Sequence, residues 1–258
     1  MAKGTRGGRR AGGSGGGGGS ALQTGNVATN AVVMTDADAQ QLRAQQDSSY
    51  DANTTAAVKM YISNTNFDGK GHSMSQAMNY LLDNNADINA SAATINAQLG
   101  TNFTENDMAS MRWANSYMQS AAHPLGRDTM LQRGAHDDLL KNAFNISNYQ
   151  KYSDSQLRQM LVGKTFQNTS FMSTSYDINK NPFLSSQSGS GVSGGREVVL
   201  NIKAGKNTKV VFGARKQSEV VIAKGTDFRV TGVRYTGKTA YPSGGAPKKQ
   251  IIIDIETY

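Results

Sequence analysis

Five short runs of β-branched or aromatic residues crowd the end of this chain: Val198-Val199-Leu200, Val210-Val211-Phe212, Val220-Val221-Ile222, Phe228-Arg229-Val230 and Ile251 to Ile255. Gly, Lys and Asn separate them, the punctuation expected between strands. The segments 206–212, 218–223, 227–234 and 249–257 follow one another closely, as an antiparallel meander or a sandwich requires.

A different period runs through the preceding residues, where helical signals begin near Thr54. Met74, Ala77, Met78, Leu81 and Leu82 fall at i, i+3, i+4, i+7 and i+8, the stripe of an amphipathic helix. Ser91 to Leu99 reads as another short helix, closed by Gly100, and Thr104 with Asp107 forms a capping box ahead of Met108, Met111, Ala114 and Met118. These methionines and Trp113 are read as core. The helix pair around Gly100 also has the outline of a helix-turn-helix, a signal that any two packed helices give. After Pro124 the pattern changes, and Leu157, Met160 and Leu161 mark a short helix ending at Gly163. A helical half followed by a strand-rich half is an α+β arrangement.

Residues 1–25 hold Gly12-Gly13-Ser14 and Gly15 to Gly19; such a stretch buries too little apolar surface to offset its ordering entropy and reads as a disordered, weakly basic tail. Residues 26–52 are polar, with few large apolar side chains, and read as only partly ordered. The expected organisation is therefore a tail over 1–25, a helical region over 26–125 packing on the core, and a strand-rich core over 126–258.

The 258 residues carry a net charge of +8 and no cysteine. The missing cysteines exclude a disulfide scaffold, a Cys-ligated metal site and thiol catalysis. No run approaches the ~18 apolar residues of a membrane span, so no membrane insertion is expected. The first 20 residues carry Lys3, Arg6, Arg9 and Arg10 but no apolar core, unlike a Sec-type signal peptide; a cytoplasmic location or delivery by a non-Sec route is expected. The positive excess lies in this tail and in residues 201–258, which hold 11 basic and four acidic side chains. Basic surfaces attract polyanions, so an acidic or nucleic-acid-associated partner is expected, with nucleic acid itself a candidate ligand of the tail.

Three segments carry chemistry. Leu131-Gln132-Arg133-Gly134 places an arginine at the end of an apolar run. Phe171-Met172-Ser173-Thr174-Ser175 alternates hydroxyls along an extended strand, and Gln217-Ser218-Glu219 opens a strand with two polar side chains two residues apart, on one face. Each alone is equally an edge strand or a solvated loop. In this order and spacing they resemble the mono-ADP-ribosyltransferase toxins of the arginine–serine–glutamate class, most of all the clostridial Rho-modifying exoenzymes. Phe183 and Gly195-Arg196 match the aromatic and the arginine of that family's phosphate–nicotinamide loop, while Gln132 stands where the family has an aromatic residue. The resemblance covers about residues 128–257.

The resemblance implies an ADP-ribosyltransferase-like split β-sandwich with an N-terminal helical cap, acting as a monomer on a target protein, with NAD as substrate and no metal. It implies Glu219, Gln217 and Ser173 as catalytic residues, and Arg133, Gly134, Ser173, Thr174, Phe183 and Arg196 around the NAD. Cleavage of the nicotinamide–ribose bond passes through an oxocarbenium-like centre, which the Glu219 carboxylate would stabilise. Arg133 would give the pyrophosphate a two-pronged contact, helped by Arg196. Ser173 would hold the carboxylate, and Thr174 and Ser175 would also tie strands together. Gln217 cannot act as a base near neutral pH, which implies an asparagine- or glutamine-type acceptor in place of arginine. His72, His123 and His136 are read as structural or surface residues, His136 lying close in sequence to Arg133. Two other readings remain at this point: a nucleic-acid-binding module, and a transferase whose acceptor is nucleic acid. Slow NAD hydrolysis by the isolated protein separates the first of these from an enzyme.

Overall fold

The computed structural model describes residues 33–63, 66–67, 72–177, 196–213, 218–240 and 246–258, apart from the side chain of Lys238. Among these residues, five helices come first: α1 (Asp36–Ser49), α2 (Ala52–Ile62), α3 (Met74–Asp83), α4 (Ala92–Leu99) and α5 (Glu105–Ala121). The helices α6 (Asp138–Phe144) and α7 (Asp154–Leu161) are set among nine strands. These are β1 (His123–Pro124), β2 (Thr129–Ala135), β3 (Thr165–Gln167), β4 (Met172–Ser175), β5 (Val198–Ala204), β6 (Lys209–Phe212), β7 (Glu219–Ile222), β8 (Asp227–Ala240) and β9 (Lys248–Thr257).

Local chemistry sets the helix ends. Ser73 and Gln76 form a capping box on α3, Thr104 and Asp107 one on α5, and Gly100 closes α4 at φ +66°, a conformation that a side chain would resist. The apolar stripe of α3 and the methionines of α5 then meet: Met78, Leu81, Met108, Met111 and Met118 are fully buried, with Trp113 packed against them. Each such side chain contributes about 1.5–3 kcal/mol by leaving water. Phe171, Val211 and Val221 from the sheet belong to the same cluster, so the helices are a cap seated on one sheet face.

The helix α1 corrects the expectation of partial order before residue 52. It opens on a reciprocal cap between Thr35 and Asp38, and the residues it buries are Ala39, Arg43 and Gln46. Two of those three are polar, which hides its inner face from a search for apolar periodicity.

All nine strands form one sheet in the order β1-β6-β7-β4-β2-β5-β9-β8-β3. A simple meander is thereby excluded: β7 and β8 are consecutive in sequence but lie five positions apart, and β5 runs parallel to β9. β2 pairs with β5 over seven residues, from Thr129–Ala204 to Ala135–Val198, yet meets β4 only at Gln132–Ser175. The strands separate beyond that pair, which is the split of the sandwich. Val210, Phe212, Val220 and Ile222 from one half share a core with Leu200, Ile202, Ile253, Ile255 and Val230 from the other. This is the expected α+β split sandwich with its helical cap.

Candidate active site

At the split, the arginine, serine and glutamate segments converge. The registers Ser173–Val221, Thr174–Val220 and Ser175–Glu219 place Ser173, Ser175 and Glu219 on one face, toward the helical cap. Arg133 reaches across from β2, its Nη1 donating to the Ser173 carbonyl oxygen at 2.9 Å. Burial pulls the Arg133 pKa below the usual arginine value, and the nearby Arg196 acts in the same direction. Arg133, Ser173 and Glu219 are each half-buried, so their polar groups are held by protein yet open to a ligand.

The other members of the serine strand bind the fold. Thr174 is buried and donates through its hydroxyl to the Val220 carbonyl at 2.6 Å, which commits it to the β4–β7 pair. Ser175 Oγ donates to the Asp177 carbonyl at 2.9 Å, stabilising the end of β4. Gly134 follows Arg133 and is half-buried. Gln217 and Phe183 lie outside the described residues.

Arg196 sits just before β5, where its Nη1 contacts His136 Nε2. A guanidinium only donates, so Nε2 accepts and the ring hydrogen sits on Nδ1, which faces Glu197 Oε2 at 3.1 Å. Glu197 is buried and also lies 3.7 Å from Lys248 Nζ, which binds Asp137 at 2.7 Å. His136 is thus a surface residue that neighbours Arg196 and bonds Glu197.

Two site residues come from the cap and carry no sequence signal of their own. Tyr61 is fully buried, and its hydroxyl accepts from Asn79 Nδ2 at 3.0 Å and lies near the Ser173 side chain. Burial holds its pKa well above the ordinary phenol value. Asn79 Nδ2 also donates to the Phe171 carbonyl at 3.0 Å, tying α3 to the residue before β4. Tyr61 packs edge-on against Phe171 and reads in sequence as one more core aromatic. Asn79 lies off the apolar stripe of its helix, where a polar residue raises no expectation.

The sequence model of the ADP-ribosyltransferase exoenzymes matches residues 71–258. No curated protein matches the sequence. Among solved structures, the enzymatic component C2-I of the C2 toxin from Clostridium botulinum superposes with a TM-score of 0.55 at 16% identity, over 87% of this chain and 47% of C2-I. The chain thus spans about half the length of that relative. Plx2a, an ADP-ribosyltransferase toxin from Paenibacillus larvae, gives 0.55 at 10% identity, over 89% of this chain and 100% of Plx2a. C3stau2 from S. aureus, solved with NAD, gives 0.52 at 16% identity, over 89% and 99% of the two chains. At these identities the structural likeness is one of fold. The family match extends over most of the chain and takes in Arg133, Ser173 and Glu219: the chain belongs to the ADP-ribosyltransferase exoenzyme family.

Proposed function

We propose that this chain is a mono-ADP-ribosyltransferase that moves ADP-ribose from NAD to an asparagine- or glutamine-type side chain of a target protein. The observation that carries this reading is the meeting of Arg133, Ser173 and Glu219 at the split of the sandwich.

Glu219 is the catalytic carboxylate. As the bond between nicotinamide and ribose C1 breaks, nicotinamide departs with the bonding pair and positive charge develops on the sugar. A fixed carboxylate beside the ribose stabilises that charge, an effect typically worth a few kcal/mol per group. Ser173 holds the carboxylate, with Tyr61 near its own side chain. Arg133, Arg196 and the backbone at Gly134 receive the pyrophosphate, Thr174 supports the floor from its place on β4, and Phe183 stacks on the nicotinamide. The acceptor amide nitrogen then bonds C1 and gives up a proton to water. Gln217 orients that amide; lacking a base, it leaves a guanidinium unactivated. The target is an acidic or nucleic-acid-associated protein, on account of the excess of 11 basic over four acidic side chains in residues 201–258.

Incubating a cell lysate with labelled NAD and locating the label by mass spectrometry tests this assignment. Label on asparagine or glutamine of a protein supports it. Label confined to arginine would overturn the acceptor class, and label on nucleic acid would overturn the protein target.

A further inference from the structure

The helix α1 precedes the residues matched to the family, yet it is joined to both ends of the turn between β6 and β7. At the first end, buried Arg43 donates through Nη1 to the Gly213 carbonyl, and its guanidinium lies 5.8 Å from the centre of the Phe212 ring. Gln46, one turn further along the helix, grips the same strand edge twice: its Nε2 donates to the Val210 carbonyl at 2.8 Å, and its Oε1 accepts from the Phe212 amide at 3.2 Å. At the second end, the Tyr176 amide donates to the Ser218 carbonyl at 3.1 Å, and the Tyr176 hydroxyl donates to Asp36 of α1 at 2.9 Å.

Gly213 and Glu219 are themselves in intimate contact. The Gly213 amide donates to the Glu219 carbonyl at 3.0 Å. A Cβ placed on Gly213 would lie 2.2 Å from Glu219 Oε2 and 2.6 Å from its Cδ. The carboxylate therefore occupies the volume of the missing side chain, and the Gly213 backbone is its seat. The seat is fixed from behind by Arg43. Ser218, just before Glu219, adopts φ +49°, a left-handed conformation that a non-glycine residue keeps only when its surroundings impose it.

We infer that α1 is a strap that sets the position of the Glu219 carboxylate, with Arg43 and Tyr176 as its positioning residues. The inference rests on the catalytic reading of Glu219 given above. Neither positioning residue touches NAD in this account; each acts through the backbone on which the carboxylate rests. Loosening the strap therefore changes the rate of NAD cleavage and leaves NAD binding alone. Placement matters this much because a shift of about 1 Å in a reacting group can cost on the order of a hundredfold in rate.

The test compares Arg43→Gln, Arg43→Lys, Tyr176→Phe, Gly213→Ala and Glu219→Gln in the full chain. It measures kcat and KM for NAD hydrolysis, together with hydrogen exchange at the Gly213 and Val220 amides. Arg43→Gln is expected to lower kcat by about tenfold or more, with KM within about twofold, and to speed exchange at Gly213. Arg43→Lys keeps a donor and should recover part of the rate, while Tyr176→Phe, which removes the hydroxyl bonded to Asp36 and keeps the ring, should lower kcat less. Gly213→Ala should lower kcat with α1 intact, because it crowds the carboxylate directly. A wild-type kcat and unchanged exchange in Arg43→Gln, beside an inactive Glu219→Gln, would overturn the strap and leave the catalytic reading standing. Activity in Glu219→Gln would overturn that reading and the inference with it.

Discussion

Arg133 of β2 donates to the carbonyl of Ser173 on β4 at 2.9 Å, across the place where the ladder between these strands is reduced to Gln132–Ser175. One guanidinium nitrogen is thereby spent on the fold, and the planar group leaves others for an anion. A lysine keeps the charge but cannot divide its donors in this fixed fork. Arg133→Lys should weaken NAD binding by about 1–3 kcal/mol, measured by calorimetry. Unchanged affinity would show that Arg133 serves the strand junction alone.

Tyr61 sits between the cap and the serine strand with its hydroxyl fully buried, accepting from Asn79 and lying near Ser173. Tyr61→Phe keeps the packing against Phe171 and removes the hydroxyl to which Asn79 donates. The expected loss is about 1–3 kcal/mol in urea unfolding, with slower NAD hydrolysis. A midpoint equal to wild type would mean that Asn79 finds another partner.

A row of buried and half-buried polar side chains crosses four strands on the face opposite Leu200 and Ile253. Gln132 donates to Asn201 at 2.8 Å, Asn201 to Asp254 at 2.9 Å, and Arg234 pairs with Asp254. Gly232 makes room, since a Cβ there would lie 2.8 Å from Asp254 Oδ2. Asp254→Ala leaves both Asn201 and Arg234 without that partner and should cost about 3–5 kcal/mol, as breaking a buried ion pair does. Asp254→Asn should cost less because the row persists. Equal losses in the two variants would show that shape rather than charge is needed.

Alkaline pH should destabilise the fold. Burial raises the pKa of Tyr61 and of Tyr149, and the Asp137 hydrogen bond raises that of Lys248. A group whose folded pKa lies above its unfolded value contributes fully below the unfolded pKa, and its contribution drains away as pH rises through the folded one. Unfolded tyrosine and lysine titrate near 10. Urea midpoints should therefore be insensitive to these three groups up to about pH 9 and fall above about pH 10. A Lys248→Met variant should show a shallower alkaline fall than wild type; an identical curve would remove Lys248 from the cause.

The strands are readable in the sequence because their runs are compact: all five lie within β5 to β9, and the Thr104–Asp107 capping box and Gly100 mark the start of α5 and the end of α4. Strand order was not readable, because the parallel pairing of β5 with β9 and the separation of β7 from β8 depend on contacts distant in sequence. The convergence of Arg133, Ser173 and Glu219 followed from a resemblance in motif order, which periodicity alone does not supply. Arg43, Tyr61 and Asn79 carry no such signal, for a common reason. Each acts through side-chain bonds to residues distant along the chain, and α1 in particular buries arginine and glutamine where an apolar stripe is sought.

The central claim is that the Glu219 carboxylate drives NAD cleavage at this site. Release of nicotinamide from NAD, followed for the wild type and for Glu219→Gln on preparations with matching thermal unfolding, tests it most directly. Slow but steady release by the wild type and none above background by the variant are expected, since the amide keeps the shape and loses the negative charge. Release by Glu219→Gln at a rate near that of the wild type would contradict it.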